Sequence, residues 1–194
     1  GYFSISDQGT VLVTPDGDPN SAIELKALVN DLVDRGLKLP ILIRFNGILR
    51  NRLRRLNDCF AAAIADHGYQ NRYRCVFPIK VNQQREVVQQ IVDAGSEFGF
   101  GIEAGSKAEL LAAIAMSMSP TADGGNASRG REAPIICNGF KDEEFIRLAL
   151  LAQRLGRTVL PVVEKVSELD LILKVAEEVG DSLGLSQFVG RQSK

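Results

Sequence analysis

From Arg74 onward the chain alternates strand-like and helix-like segments, and this rhythm constrains its fold more than any other feature. Strand candidates Cys75–Val81, Phe98–Glu103, Pro134–Cys137 and Thr158–Glu164 each precede a helix candidate. The first helix runs from Gln83 to Ala94 and is closed by Gly95, and the second is opened by Ser106 and Glu109 as a capping box. The third runs from Asp142 to Leu155 and is closed by Gly156, and the fourth is opened by Ser167 and closed by Gly180. Strands that each need a helical crossover pair in parallel, with right-handed connections. Their interiors, VFPI, PIIC and VLPVV, are continuously apolar, as strands covered on both faces should be. The class is α/β, and four units are half of a (β/α)8 barrel. Periodicity alone also leaves open a doubly wound sheet. A fold cut after four units would bare a strand edge, so the chain reads as incomplete.

Upstream the pattern differs. Tyr2–Ser6 and Thr10–Thr14 flank Asp7, Gln8 and Gly9 and predict a hairpin, so residues 1–20 form a separate strand region before the α/β region of 21–194. Ser21 and Glu24 match a capping box, followed by an apolar stripe of Ile23, Leu25, Leu28, Leu32 and Val33 that stops at Gly36. A strand is expected at Ile41–Phe45, then a long helix carrying Leu49, Leu53, Leu56, Phe60 and Ile64, with a solvated Arg-rich face. Residues 117–132, rich in Ser, Gly, Asn and Pro, read as a flexible surface insertion, and Gln187–Lys194 as a fifth strand that begins and stops.

Composition excludes several classes. A net charge of −1 over 194 residues gives no basic footprint for nucleic acid. No apolar run approaches the roughly 18 to 20 residues of a membrane span. The first residues lack a secretory pattern, and an initial Gly suggests numbering that starts inside a longer polypeptide. Cys59, Cys75 and Cys137 show no paired spacing, which points to a reducing compartment rather than disulfides or zinc. The expected location is cytoplasmic, or plastid for a plant or algal source with a transit segment removed.

Three strand ends carry candidate chemistry. Lys80 ends an otherwise apolar strand, where a barrel keeps its site, and a poorly solvated amine has a lowered pKa and reacts as the neutral form with aldehydes. The alternative is a lysine snorkelling out of the strand end. Glu103 would face the same mouth, where a carboxylate could orient a cation. The Gly105–Ser106 stretch beside it also reads as a plain turn and cap, with Lys107 facing solvent. Asn138 could donate to a ligand or make a turn with Gly139. Glu164 and Lys165 end the fourth strand in the same way. His67 is the one histidine and falls at a helix end, so neither a metal cluster nor a Ser/His/Asp set can be assembled.

The segments VFPIKVNQ (Val76–Gln83), FGIEAGSKAEL (Phe100–Leu110) and ICNGFKDEEFIRLAL (Ile136–Leu150) closely resemble the biosynthetic arginine decarboxylases of bacteria, cyanobacteria and plants. So do YFSIS, LPILIRFNGILRNRL and RLGRTVLPVVEKVSELDLIL, and the likeness reaches to about Gly180. The wider family includes ornithine and diaminopimelate decarboxylases and alanine racemase. The resemblance implies a partial pyridoxal-phosphate-binding (β/α)8 barrel, preceded by N-terminal strands that belong to a β-domain. It implies that Lys80 holds the cofactor covalently, with Glu103 and Asn138 near it, and allows Mg2+ as a further cofactor. A ring-stacking histidine, a Gly-rich phosphate loop and an acidic partner for the pyridine nitrogen would lie in later strands.

The activity so implied is decarboxylation of L-arginine to agmatine and CO2 in polyamine biosynthesis, by a homo-oligomeric full-length protein without nucleic-acid or membrane partners. Alternatives are a decarboxylase of another basic amino acid and a non-catalytic regulatory homologue. Two structural expectations follow: at least three of the four strands pair in parallel, and Lys80, Glu103 and Asn138 share one end of the sheet.

Overall fold

The computed structural model describes residues 1–118 and 133–179. The chain divides into two compact units, Gly1–Arg72 and Tyr73–Lys194.

In the first unit, β1 (Phe3–Ile5) and β2 (Val11–Val13) form the expected antiparallel hairpin. Gly9 takes a positive φ of 78° at the turn, and the Ser6 N–H donates to the Thr10 carbonyl at 2.8 Å. Residues 23–24 depart from expectation. Ile23–Glu24 is β3, paired antiparallel with β2, and α1 (Leu25–Asp34) begins only after it. The Ser21/Glu24 capping box therefore does not form. The Ser21 hydroxyl donates instead to the Asp18 carbonyl at 2.8 Å and to the Asp16 carboxylate, and Glu24 makes no side-chain cap. The N-terminal sheet thus extends past residue 20.

Ile41–Phe45 forms no strand. A strand exists through its ladder, and no described segment pairs with these residues. The long helix is found as α2 (Asn46–Asp66), with His67 as its C-terminal cap. Asn51 ties it to the strand region, accepting from the Tyr2 hydroxyl and donating to the Asp16 carbonyl, both at 2.7 Å.

The second unit is a parallel sheet of β4 (Val76–Pro78), β5 (Gly101–Ala104), β6 (Ile135–Cys137) and β7 (Val159–Pro161), in that spatial order. Helices α3 (Arg85–Gly95), α4 (Lys107–Met118), α5 (Glu143–Arg154) and α6 (Val166–Val179) follow the strands in turn. Strand order equal to chain order has no reversal, which is the winding of a barrel and not of a doubly wound sheet.

The register sorts the strand residues into two rows. Phe77, Ile102, Ile135 and Val159 lie side by side, and three of them are buried against Val88, Leu110, Ala113 and Phe145 of the helices. Pro78, Glu103, Ile136 and Leu160 form the next row and point to the opposite face, because strand side chains alternate. That face is only partly covered, and Leu160 is 38% exposed.

Two details differ from the sequence pattern. Gly95 does not stop α3 but is its last residue, where a Cβ would lie 2.4 Å from that of Phe100; the reversal is made by Gly99 at φ 69°. Ser117 and Met118, expected in the insertion, are the last turn of α4, while 119–132 and 180–194, with Gly180 and Gln187–Lys194, lie outside the described residues. No described helix is long and apolar enough to cross a membrane.

Candidate functional site at the strand ends

Pro78 cannot donate to a ladder, and β4 ends on it. A single 3-10 turn, Ile79–Val81, follows, so Lys80 stands on this turn and not on the strand itself. Ile79 is buried beneath it and anchors the turn, while Lys80 is exposed. The apolar, poorly solvated setting expected for this amine is therefore not supplied by the described residues. The Asn82 carboxamide accepts the Gln84 N–H at 3.0 Å and leads the chain into α3.

Glu103 occupies the partly covered row of β5, half-buried, with Pro78 and Ile136 as its register neighbours. After Ala104 the chain turns into α4. Ser106 accepts the Glu109 N–H at 3.2 Å, as its cap role predicts, but Glu109 reaches one residue further back than a standard capping box, to the Gly105 N–H at 2.7 Å.

Asn138 is the residue after β6 and extends the ladder by one bond, its N–H donating to the Ala104 carbonyl at 3.0 Å. Gly139 then turns the chain at φ 78°. Lys80, Glu103 and Asn138 are thus all brought to the C-terminal ends of three adjacent strands. Among the described residues, neither Lys80 nor Glu103 forms an ion pair.

The strand ends hold a second constellation that the sequence did not reveal. Glu168 is buried at 2% exposure near the start of α6, and its carboxylate faces the ammonium of the fully buried Lys141 side chain at 3.3 Å. One Glu168 oxygen accepts the Lys141 N–H at 2.9 Å, and the other accepts the Glu164 N–H at 2.9 Å. The Lys141 ammonium also donates to the Gly139 carbonyl, and the Glu164 carboxylate accepts the Gly139 N–H. Burial pushes the Glu168 carboxyl up, but the two N–H donors and the Lys141 ammonium outweigh it and hold it below the usual carboxylate value. One signal was present: Glu168 accepts the Glu164 N–H four residues back, as Glu109 accepts that of Gly105. Lys165, at the start of this helix, is not a capping residue type, so the sequence carries no Ser or Thr there to mark the motif.

Lys107 does not simply face solvent. It bridges from α4 to the start of α5, at 2.9 Å from Asp142 and 2.6 Å from Glu144, and these carboxylates, Glu144 first, raise its pKa. Asp142 caps α5 through the Phe145 N–H at 2.9 Å. Lys165 lies 4.2 Å from the centre of the exposed Phe140 ring. Cys137 is fully buried, and its thiol is pushed up to about 12 by that burial, which excludes it as a nucleophile. Among the described residues no group of three or more His, Cys, Asp and Glu could hold a metal ion.

The family described as "Pyridoxal-dependent decarboxylase, pyridoxal binding domain" matches residues 49–189. The chain belongs to this family. Its curated relatives include the biosynthetic arginine decarboxylase of Rhodopirellula baltica, 71% identical over 180 residues, covering 93% of this chain and 25% of the relative. That of Gloeobacter violaceus is 46% identical over 193 residues, covering 100% of this chain and 28% of the relative. The chain thus spans about a quarter of the length of these curated relatives.

Among solved structures, the biosynthetic arginine decarboxylase SpeA from Campylobacter jejuni superposes with a TM-score of 0.77 at 33% identity, over 91% of this chain and 27% of that one. Diaminopimelate decarboxylase from M. jannaschi gives 0.58 at 18% identity, over 92% and 33%, and shows the shared fold. The fold is a partial barrel of this decarboxylase type, preceded by an antiparallel N-terminal sheet.

The strand-end residues fit pyridoxal phosphate chemically. An exposed primary amine at a barrel-type mouth can bond its aldehyde carbon, with a carboxylate and a carboxamide on the adjacent strands.

Proposed function

We propose that this domain holds pyridoxal phosphate through Lys80, within an enzyme that decarboxylates L-arginine to agmatine and CO2. The observation that carries the reading is the position of Lys80. It is an amine without an ion-pair partner among the described residues, one turn beyond the first strand of a parallel sheet, in a chain 71% identical to a biosynthetic arginine decarboxylase. Pyridoxal phosphate, when bound, supplies an electron sink for the pair released as the carboxylate leaves.

The domain's own residues would do the rest. Lys80 Nζ would hold the cofactor at the strand ends, and as a free amine it could take up or deliver a proton there. Glu103, on the adjacent strand, would offer a carboxylate suited to a cationic group, and Asn138 would offer both a donor and an acceptor.

The same reading makes the N-terminal strands part of a β-domain and the enzyme a homo-oligomer of the cytoplasm, or of the plastid in a plant or alga; the described residues offer no group for the Mg2+ that the resemblance allows. The test is borohydride reduction of the cofactor-loaded protein at the full length of its relatives, followed by peptide mapping. The pyridoxyl label is expected on Lys80, and Lys80→Ala should form no agmatine. Label on another lysine, or undiminished activity in Lys80→Ala, discards the assignment. Assays with ornithine and lysine beside arginine decide the substrate.

A further inference from the structure

A buried ion pair is a weak device for stability, because desolvating two charges offsets most of their attraction. Well-packed apolar residues of similar volume often serve as well or better. The placement of Lys141 and Glu168 therefore calls for another account. Both side chains are buried, yet they sit at the catalytic-type end of the sheet, and most of their hydrogen bonds go to the backbone of two irregular loops.

The bonds close a circuit. Glu168 accepts the N–H groups of Lys141 and Glu164, Glu164 accepts the Gly139 N–H, and the Lys141 ammonium donates to both Gly139 and Glu168. The loop after β6 is thereby joined to the loop after β7. Gly139 is also pressed against the loop after β5, where a Cβ on it would stand 3.0 Å from the Gly105 carbonyl oxygen. Asn138 bonds Ala104 directly. A shift of the circuit would therefore move Asn138 and press on the chain just after Glu103. The corresponding Glu109–Gly105 bond at the start of α4 is more exposed and engages a single N–H.

We infer that Lys141 and Glu168 are positioning residues for the cofactor site, acting through the backbone of Asn138 and Gly139. This rests on the reading of Lys80 as the cofactor's anchor. The pair does not touch the cofactor in this account; it fixes the strand ends that do. Displacements of about 1 Å at such positions cost up to about a hundredfold in function.

The experiment uses the protein at the full length of its relatives, with two variants. Glu168→Asp keeps the charge but shortens the reach, and Lys141→Met keeps the length but removes the charge. Pyridoxal phosphate is titrated into each apoprotein well below its melting temperature, following cofactor absorbance and visible circular dichroism. Arg147→Met, which removes ion pairs of 3.0 and 2.7 Å to Glu143 and Glu178 on the outer helices, controls for general loosening.

The expected result is a cofactor Kd raised about tenfold or more in either site variant that folds, with an altered dichroism of the bound cofactor, and neither change in Arg147→Met. Folded variants that bind the cofactor with unchanged Kd and dichroism, while borohydride still labels Lys80, overturn the positioning role and leave the anchor standing. Label on a different lysine removes the anchor and the inference together.

Discussion

A methyl group on Gly101 would stand 2.0 Å from the carbonyl oxygen of Pro134, just before the adjacent strand. That oxygen accepts the Ile102 N–H at 2.9 Å, so the two chains cannot separate without losing a ladder bond. Gly101→Ala should cost about 3 kcal/mol or slightly more, at the upper end for overpacking. Gly105→Ala meets nothing closer than the Glu109 carboxylate at 3.5 Å and should cost well under half as much. Denaturant unfolding of both variants checks the contrast, and equal losses would mean that β5 and β6 do not approach as described.

Glu168 should leave a signature in acid. Its carboxyl is held below the ordinary value, so its contribution is fully present above the unfolded-state value of about 4.3 and is lost as pH falls through the folded value. Glu168→Gln should cost about 3 to 5 kcal/mol at pH 7, since it strands the Lys141 charge. Its stability should then fall less steeply than that of the parent protein below pH about 4. Unfolding curves across this range report the difference; parallel pH profiles would show that Glu168 does not titrate as stated.

Asp142 has two separable roles, as cap of α5 and as partner of Lys107. Asp142→Asn keeps a capping side chain and loses only the exposed ion pair, so its effect should stay below about 1 kcal/mol. Asp142→Ala loses the cap as well and should cost about 1 kcal/mol more. Chemical denaturation of the two variants tests the order, which should not reverse.

The cysteines should differ in reactivity. Cys59 is exposed, whereas the Cys137 thiol is buried and pushed up to about 12. Iodoacetamide at pH 8 should alkylate Cys59 readily in the folded protein and reach Cys137 only on unfolding. Mass mapping after timed quenching gives both rates, and early modification of Cys137 would contradict its burial.

The parallel sheet was legible because strand and helix segments alternate and three of the strands carry apolar runs, whereas the register that lines up Phe77, Ile102, Ile135 and Val159 depends on how the strands meet. Lys80 could be placed near a strand end from the VFPIK sequence, but its 3-10 turn could not. Ile41–Phe45 misled because its apolar residues have strand character while a strand also needs a partner's edge. Glu24 misled in the opposite sense: its spacing from Ser21 suits a cap, yet pairing with Leu12 claims its backbone. Lys141 and Glu168 are 27 residues apart, and nothing local says that their loops meet. Pairing of that kind belongs to the tertiary fold.

The two rows of the parallel sheet expose the domain to selection through different phenotypes. Changes at Ile102, Ile135 or Val159 disturb the helix-facing core and will be read in the cell first as lower protein abundance. Changes at Glu103, Ile136 or Leu160, on the partly covered row, leave that core intact and should lower abundance less. Neighbouring positions along one short strand are thus free to evolve on separate schedules, the helix-facing step answering to folding and its neighbour to whatever the opposite face meets.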